Sequence, residues 1–178
     1  MRQSILRYFI SLLLVSLCIC SATSIFIISG SMKEDSEREM MYSVKLIEYN
    51  LDYSKDLNTQ IETLNPLAFS DDTRISVIDE KGKVLADTYK KDISSNHLKR
   101  EEVQQALHSS NHEGYAMRRS ETTNQPLLYA AYYKDNHIIR LSIPYSGVWG
   151  YFPELAPAFS ISILISILFS YIVARKLS

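Results

Sequence analysis

Three arginines and two tyrosines in the second half of the chain have the residue types needed to grip an anion. Arg118, Arg119 and Arg140 fall on neighbouring predicted strands, with Tyr129 and Tyr132 on the strand between them. A guanidinium set in a concavity holds a carboxylate or phosphate through paired hydrogen bonds. Successive strand residues point to opposite faces, so only one of Arg118 and Arg119 can share a concavity with Arg140. The expected binding set is Arg119, Arg140, Tyr129 and Tyr132, for a small anion. The plainer use of these arginines is a salt bridge to Asp79, Asp87 or another nearby acid.

Other chemistry is thinly represented. There is no Gly-rich phosphate loop, no H-E-x-x-H and no G-x-S-x-G, so catalysis is unsupported and no cofactor is expected in this chain. His108 and His112 are four apart, but Ser109, Ser110 and Asn111 between them read as a helix end, which favours solvated loop histidines over a metal site. Asn96 and His97 precede a short predicted helix and are expected to cap it or to hydrogen-bond to the sheet.

The element that must position these residues is the stretch Arg74 to Asp87, RISVIDEKGKVLAD. Two short apolar runs flank a charged turn in which Gly82 can take positive φ, the pattern of a β-hairpin. A short helix from about Lys99 to Leu107 follows, then strands over 114–119, 127–134 and 137–143. The connections are Thr122 to Gln125, and Asp135 with Asn136, while residues 89–96 are polar and irregular. Five antiparallel strands with a helix inserted after the second predict an α+β, PAS-like fold over residues 73–146.

Before it, residues 33–65 read as one long helix. Met40, Val44, Ile47 and Leu51 lie along one face, and Leu57, Ile61 and Leu64 resume the stripe before Asn65 and Pro66 end it. The stripe serves packing onto the sheet, a parallel dimer seam, or both.

Charge distribution sets the surroundings. Every Asp and Glu lies between Glu34 and Glu154. Setting aside Arg2, Arg7, Arg175 and Lys176 from the 19 bases leaves 15 against 20 acids, so the middle is acidic and no nucleic acid is expected as a partner. Residues 8–28 and 155–174 carry no charge, and roughly 20 helical residues cross a bilayer core of roughly 30 Å. Arg2 and Arg7 before an apolar run also suit a cleaved secretory signal. The run continues through Ile25 to Ile28 without a small-x-small site, so a retained span is expected. Bases on the outer flanks place residues 1–7 and 175–178 in the cytoplasm and the middle outside a cell membrane crossed twice. Trp149, Tyr151 and Phe152 suit the outer interface, or packing at the domain base, and Pro153 and Pro157 suit a helix start. Cys18 and Cys20, two apart in the first apolar run, point to nearly opposite sides and cannot bridge, so the middle folds without disulfides.

RISVIDEKGKVLAD, NHLKREEVQQAL from Asn96, Arg119 with Ser120, LLYAA from Leu127 and RLSIP from Arg140 resemble the extracytoplasmic PAS-like sensor of bacterial two-component histidine kinases, closest to the phosphate-regulation (PhoR) type. The resemblance covers Arg74 to Pro144 and carries Arg74, Asp79, Gly82, Asp87, Asn96, His97 and Arg100 as motif residues. One departure is Glu101, where the family usually has proline; both suit a first helical turn. The resemblance implies a homodimer that senses an extracytoplasmic ligand or protein. It also implies a continuation past Ser178 into a HAMP linker, a histidine box and an ATP-binding domain. ATP, Mg and the response regulator would belong to that kinase part, since none of the four histidines here sits in an H-E-x-x-x-P setting. The fold does not fix the output, so a chemoreceptor, a cyclic-dinucleotide enzyme or a stand-alone membrane-anchored binding module are the alternatives.

Overall fold

The computed structural model describes residues 2–68, 72–89, 96–120 and 124–177. Most of the irregular 89–96 stretch and part of the 122–125 connection lie outside the described residues. The chain divides into two units: Ser31–Tyr145, and the two ends Met1–Gly30 with Ser146–Ser178.

The central unit begins with the second part of α1 (Arg2–Asn50). The single helix expected over 33–65 is in fact two, because α1 stops at Asn50 and α2 spans Leu57–Leu64. Short polar side chains account for the break by bonding to nearby backbone in place of the helical ladder. Asp52 accepts from the Ser54 amide at 3.0 Å and its hydroxyl at 2.6 Å, and Asp56 caps α2 by accepting from the Thr59 amide at 2.9 Å. Gln60 clamps the intervening loop, its side chain bonding both the amide and the carbonyl of Asp52. Pro66 lies in a 3-10 turn, Asn65–Leu67, that ends the segment.

Five strands follow: β1 (Arg74–Asp79), β2 (Val84–Asp87), β3 (Glu113–Arg119), β4 (Pro126–Lys134) and β5 (His137–Pro144), with α3 (Glu101–His108) between β2 and β3. All neighbours are antiparallel, in the order β2-β1-β5-β4-β3. This is the α+β, PAS-like arrangement that the strand pattern predicted. The β1–β2 turn needs Gly82 at φ +82°, and Asp79 closes it by accepting from the amides of Lys81 and Lys83. Asp79 is therefore a turn cap rather than the partner of an arginine. Asp135 and Asn136, both at positive φ, form the tight β4–β5 turn.

The two sheet faces differ in chemistry. Ile75, Val77, Leu128, Ala130, Ile139, Leu141 and Ile143 form one, packed against Met40, Val44 and Ile47 of α1 and Ile61 of α2. The predicted stripe on the long helix thus packs onto the sheet, with ion pairs Lys45–Glu113 (2.6 Å) and Lys134–Glu48 (2.8 Å) fastening α1 at its sides. Tyr42, Leu46 and Tyr49 face away and stay exposed. On the other face Ile78, Val84, Ala131 and Ile138 meet Val103 and Ala106 of α3, and the remainder includes a cluster of charged and polar side chains. Gly114 lets α3 lie directly on β3, since a Cβ there would meet the Glu102 carbonyl oxygen and the Ala106 amide nitrogen. Gln105 Oε1 accepts from the Tyr115 amide at 2.8 Å, so α3 also occupies part of the outer edge of β3.

In the terminal unit, the first part of α1 carries a stretch from Val15 with a mean hydropathy of 1.8, long and apolar enough to cross a membrane and with none of it buried. The other element is α4 (Phe152–Leu177), reached through a 3-10 turn at Gly147–Tyr151. Pro153 lies in the first turn of α4, as expected, whereas Pro157 lies inside the helix. Trp149, Tyr151 and Phe152 are exposed.

Candidate anion site on the charged sheet face

The charged half of the α3-side face is built from residues on all five strands and on α3. Register puts Ala116 opposite Tyr129, Tyr129 opposite Ser142, and Ser76 opposite both Arg140 and Asp87. Arg118 is two residues from Ala116, so it shares this face with Tyr129 and Arg140. Glu102 descends onto the face from the first turn of α3 and is fully buried, with no exposed surface.

These groups form one continuous polar chain. Arg118 Nη1 and Nη2 donate to the two oxygens of Glu102 at 2.6 and 2.9 Å, a bidentate pair. Its guanidinium lies 3.6 Å from the centre of the Tyr129 ring, close enough for a cation–π contact. Arg140 Nη1 stands 3.5 Å from Glu102 Oε1, and its Nη2 donates to Ser76 Oγ at 3.1 Å. Ser76 Oγ in turn donates to Asp87 at 2.8 Å, and Arg74 holds the same carboxylate through Nε and Nη2. Arg140 is only 3% exposed, and its Nε is shielded from solvent with no hydrogen-bond partner among the described residues.

Burial dominates the electrostatics. It pushes the Glu102 carboxyl upward, but Arg118 outweighs it and the group ends below its ordinary range. It likewise pushes Arg118 down, and Glu102 reverses that. For Arg140 burial wins: its pKa falls to about 10, because Glu102 compensates it only in part. His97, also buried, is lowered to about 4 by burial first and then by Arg140, Arg100 and Arg74, with Asp87 opposing. It is therefore neutral at pH 7. Arg74, Arg118 and Arg140 face two carboxylates, Asp87 and Glu102, which leaves one positive charge uncompensated by a paired carboxylate among the described residues.

Of the four residues expected to bind the anion, Tyr129 and Arg140 come together and the other two do not. Arg119 is on the opposite face, exposed, donating from Nη1 to the Asn124 carbonyl at 3.1 Å. Tyr132 packs toward α1, with Lys45 Nζ 5.2 Å from its ring centre. The reason is parity: Tyr132 is three positions on from Tyr129 and Arg119 one position on from Arg118, and an odd step changes face. The acid that meets Arg140 is Glu102, which sequence reasoning missed. Its spacing to Val103 and Ala106, on the inner stripe of α3, was the available signal.

The motif residues serve the frame around the site. Arg74 pairs with Asp87, while Asn96 donates from Nδ2 to the Lys81 carbonyl and accepts from the Leu98 amide, both at 2.8 Å. With the His97 amide donating to the Gly82 carbonyl at 2.7 Å, these bonds latch the hairpin turn to the lead-in of α3. Arg100 is the N-cap residue of α3 without a side-chain cap bond. His108 bonds the Gln104 carbonyl and His112 lies in a positive-φ turn; no metal-competent group of His, Cys, Asp or Glu occurs among the described residues.

No family model and no curated protein matches the sequence. Among solved structures the chain is similar to the Bacillus subtilis YkuI protein, which has an EAL domain and was solved with c-di-GMP and calcium. The TM-score is 0.49 at 16% identity, over 75% of this chain and 37% of that one. It is also similar to the ligand-binding domain of the Campylobacter jejuni chemoreceptor Tlp3 in complex with 4-methylisoleucine (TM-score 0.48, 19% identity, 68% of this chain and 56% of that one). A third is the extracellular domain of the putative histidine kinase rpHK1S-Z16 (TM-score 0.38, 14% identity, 47% and 35%). The chain spans only part of the length of each of these proteins, and at these identities the likeness is one of backbone.

Proposed function

We propose that this chain is the signal-sensing membrane region of a two-component histidine kinase of the PhoR type, working as a homodimer with the sheet domain outside the cell. The observation that carries the sensing reading is α1: one helix begins in an apolar stretch fit to cross a membrane and ends as part of the sheet core, through Met40, Val44 and Ile47. A cue that favours one packing of the sheet over another acts directly on that helix, and it shifts the equilibrium only as far as its affinities for the two packings differ. The second span is α4, uncharged from Leu155 to Ala174 and closed by Arg175 and Lys176. The exposed Tyr42, Leu46 and Tyr49, stepping by four and three, supply the seam for a second copy. The kinase output rests on the resemblance of Arg74 to Pro144; a chemoreceptor output fits the same input region equally.

Two experiments test this. Single cysteines placed at Lys83, which is exposed in the hairpin, and at Ser4, with Cys18 and Cys20 replaced by alanine, are challenged in intact cells with a membrane-impermeant maleimide. Labelling at position 83 and protection at position 4 is expected; the reverse pattern overturns the topology. Reading the coding sequence past Ser178 then decides the output: a HAMP linker and H-E-x-x-x-P box support the kinase, and a methyl-accepting helical region in their place overturns it.

A further inference from the structure

Three features of the charged face belong together. One carboxylate, Glu102, is spread over two guanidiniums, with contacts of 2.6 and 2.9 Å to Arg118 and 3.5 Å to Arg140. Arg140, almost wholly buried, keeps an Nε without an acceptor among the described residues, and the cluster has one more arginine than carboxylates. Leaving a buried donor unsatisfied is costly, and folds rarely tolerate it without a reason. Finally, the carboxylate rides on the first turn of an eight-residue helix whose N-cap offers no side-chain bond. The amides of that turn are thus left without a capping side chain.

We propose that Glu102 is a built-in occupant of a site for a compact dianion, and that such a ligand, seated between Arg118 and Arg140, displaces it. The chemistry fixes the class. With Glu102 withdrawn, Arg118 and Arg140 present two charges, twice what one carboxylate neutralises, and Arg118 Nη1 and Nη2 together with Arg140 Nη1 and Nε offer four donors that two oxygens can satisfy only by each accepting twice. A monocarboxylate only replaces like with like and loses to a tethered competitor of high effective concentration. A ligand with two charges and at least three acceptor oxygens outcompetes it. Tyr129, stacked on Arg118, holds one wall of the site whichever carboxylate is bound. Displacement has a structural consequence, because the Glu102 carbonyl rests against Gly114 of β3: moving the first turn of α3 alters the helix–strand contact at the sheet edge. Relevance to signalling rests on the sensing role proposed above, whereas the binding event does not.

The test uses the full chain in lipid nanodiscs and calorimetric titration with succinate, inorganic phosphate and acetate. Because the wild-type site is occupied by its own side chain, its apparent affinity is reduced by the closed fraction. Glu102→Gln, which keeps the shape and removes the charge, is expected to bind succinate or phosphate at least tenfold more tightly than wild type, with acetate trailing by a similar factor. Whichever dianion responds identifies the source as a dicarboxylate or an oxyanion. Adding Arg140→Ala to Glu102→Gln is expected to remove the gain. If Glu102→Gln does not fold alone, recovery of its thermal transition by the dianion, and not by sodium chloride of equal ionic strength, carries the same meaning. Equal binding by wild type and Glu102→Gln, no binding by either, or a variant that no dianion restores overturns the proposal. Failure here with the sheet domain labelled from outside leaves the sensing role standing; dianion binding in a chain labelled from inside removes the sensing role alone.

Discussion

At the scale of single residues, neighbours in sequence have unlike fates. Arg118 closes a bidentate pair with a fully buried glutamate, and Arg119 reaches only a loop carbonyl at the surface. Arg118→Ala leaves Glu102 buried without its main partner and is expected to cost about 3–5 kcal/mol in chemical denaturation, whereas Arg119→Ala changes stability by at most about 0.5 kcal/mol. Equal losses would show that the ion pair is not held as described. His97 gives a pH signature. Its folded-state pKa of about 4 lies below the ordinary 6.5, so between those values the unfolded chain takes up a proton that the folded chain refuses. Stability from this group is present above pH 6.5 and is lost as pH falls toward 4, by on the order of 2 kcal/mol. Thermal melts across that window are expected to show the decline in wild type and a flatter profile in His97→Gln. Arginine type and approximate position were legible in the sequence. Which of two adjacent arginines faces inward depends on strand register, and register is set by the hairpin turns and by partners far along the chain.

Elements were more legible than their joints. Alternating apolar runs gave five strands to within a residue or so of their ends, because burial of one or both faces imposes that period. The apolar stripe resumes at Leu57 and so suggests one continuous helix; the break lies in Asp52, Ser54 and Asp56, whose side chains compete locally with helical hydrogen bonds. Two glycines seat α3 and its lead-in, Gly82 in the hairpin turn and Gly114 on β3. At Gly82 a side chain meets positive φ, the Leu98 amide and Asn96 Oδ1 together; at Gly114 it strikes the backbone of α3. Gly82→Ala and Gly114→Ala are each expected to cost about 1–3 kcal/mol, read as a shift of the denaturation midpoint. Native hydrogen exchange should locate the damage. Gly82→Ala is expected to expose the amides of His97 and Leu98, and Gly114→Ala those of α3, while α1 amides near Val44 stay protected in both.

For the whole molecule, the long first helix is the element that belongs to both units. Replacing Ser31 and Met32 by glycine weakens α1 outside the packed core that begins at Met40, at about 1 kcal/mol of helix propensity per site. The sheet domain is expected to melt at nearly its wild-type temperature; under the sensing role proposed above, response to the cue is expected to be lost, and retained response would show that α1 is not the route. The open sheet has a further consequence at its two rims. Asn96 bridges to Lys83 just before β2, and the start of the β3 rim is covered by Gln105 on the Tyr115 amide. The far end of β3 is an open edge among the described residues, where exposed Met117 is followed by Arg118 and Arg119. The exposed Arg119 acts as a gatekeeper against fibrils, since stacked copies would bring its like charges within a few ångströms of one another. Arg119→Thr, harmless to folding, should therefore shorten the lag before thioflavin-positive aggregates form at high protein concentration.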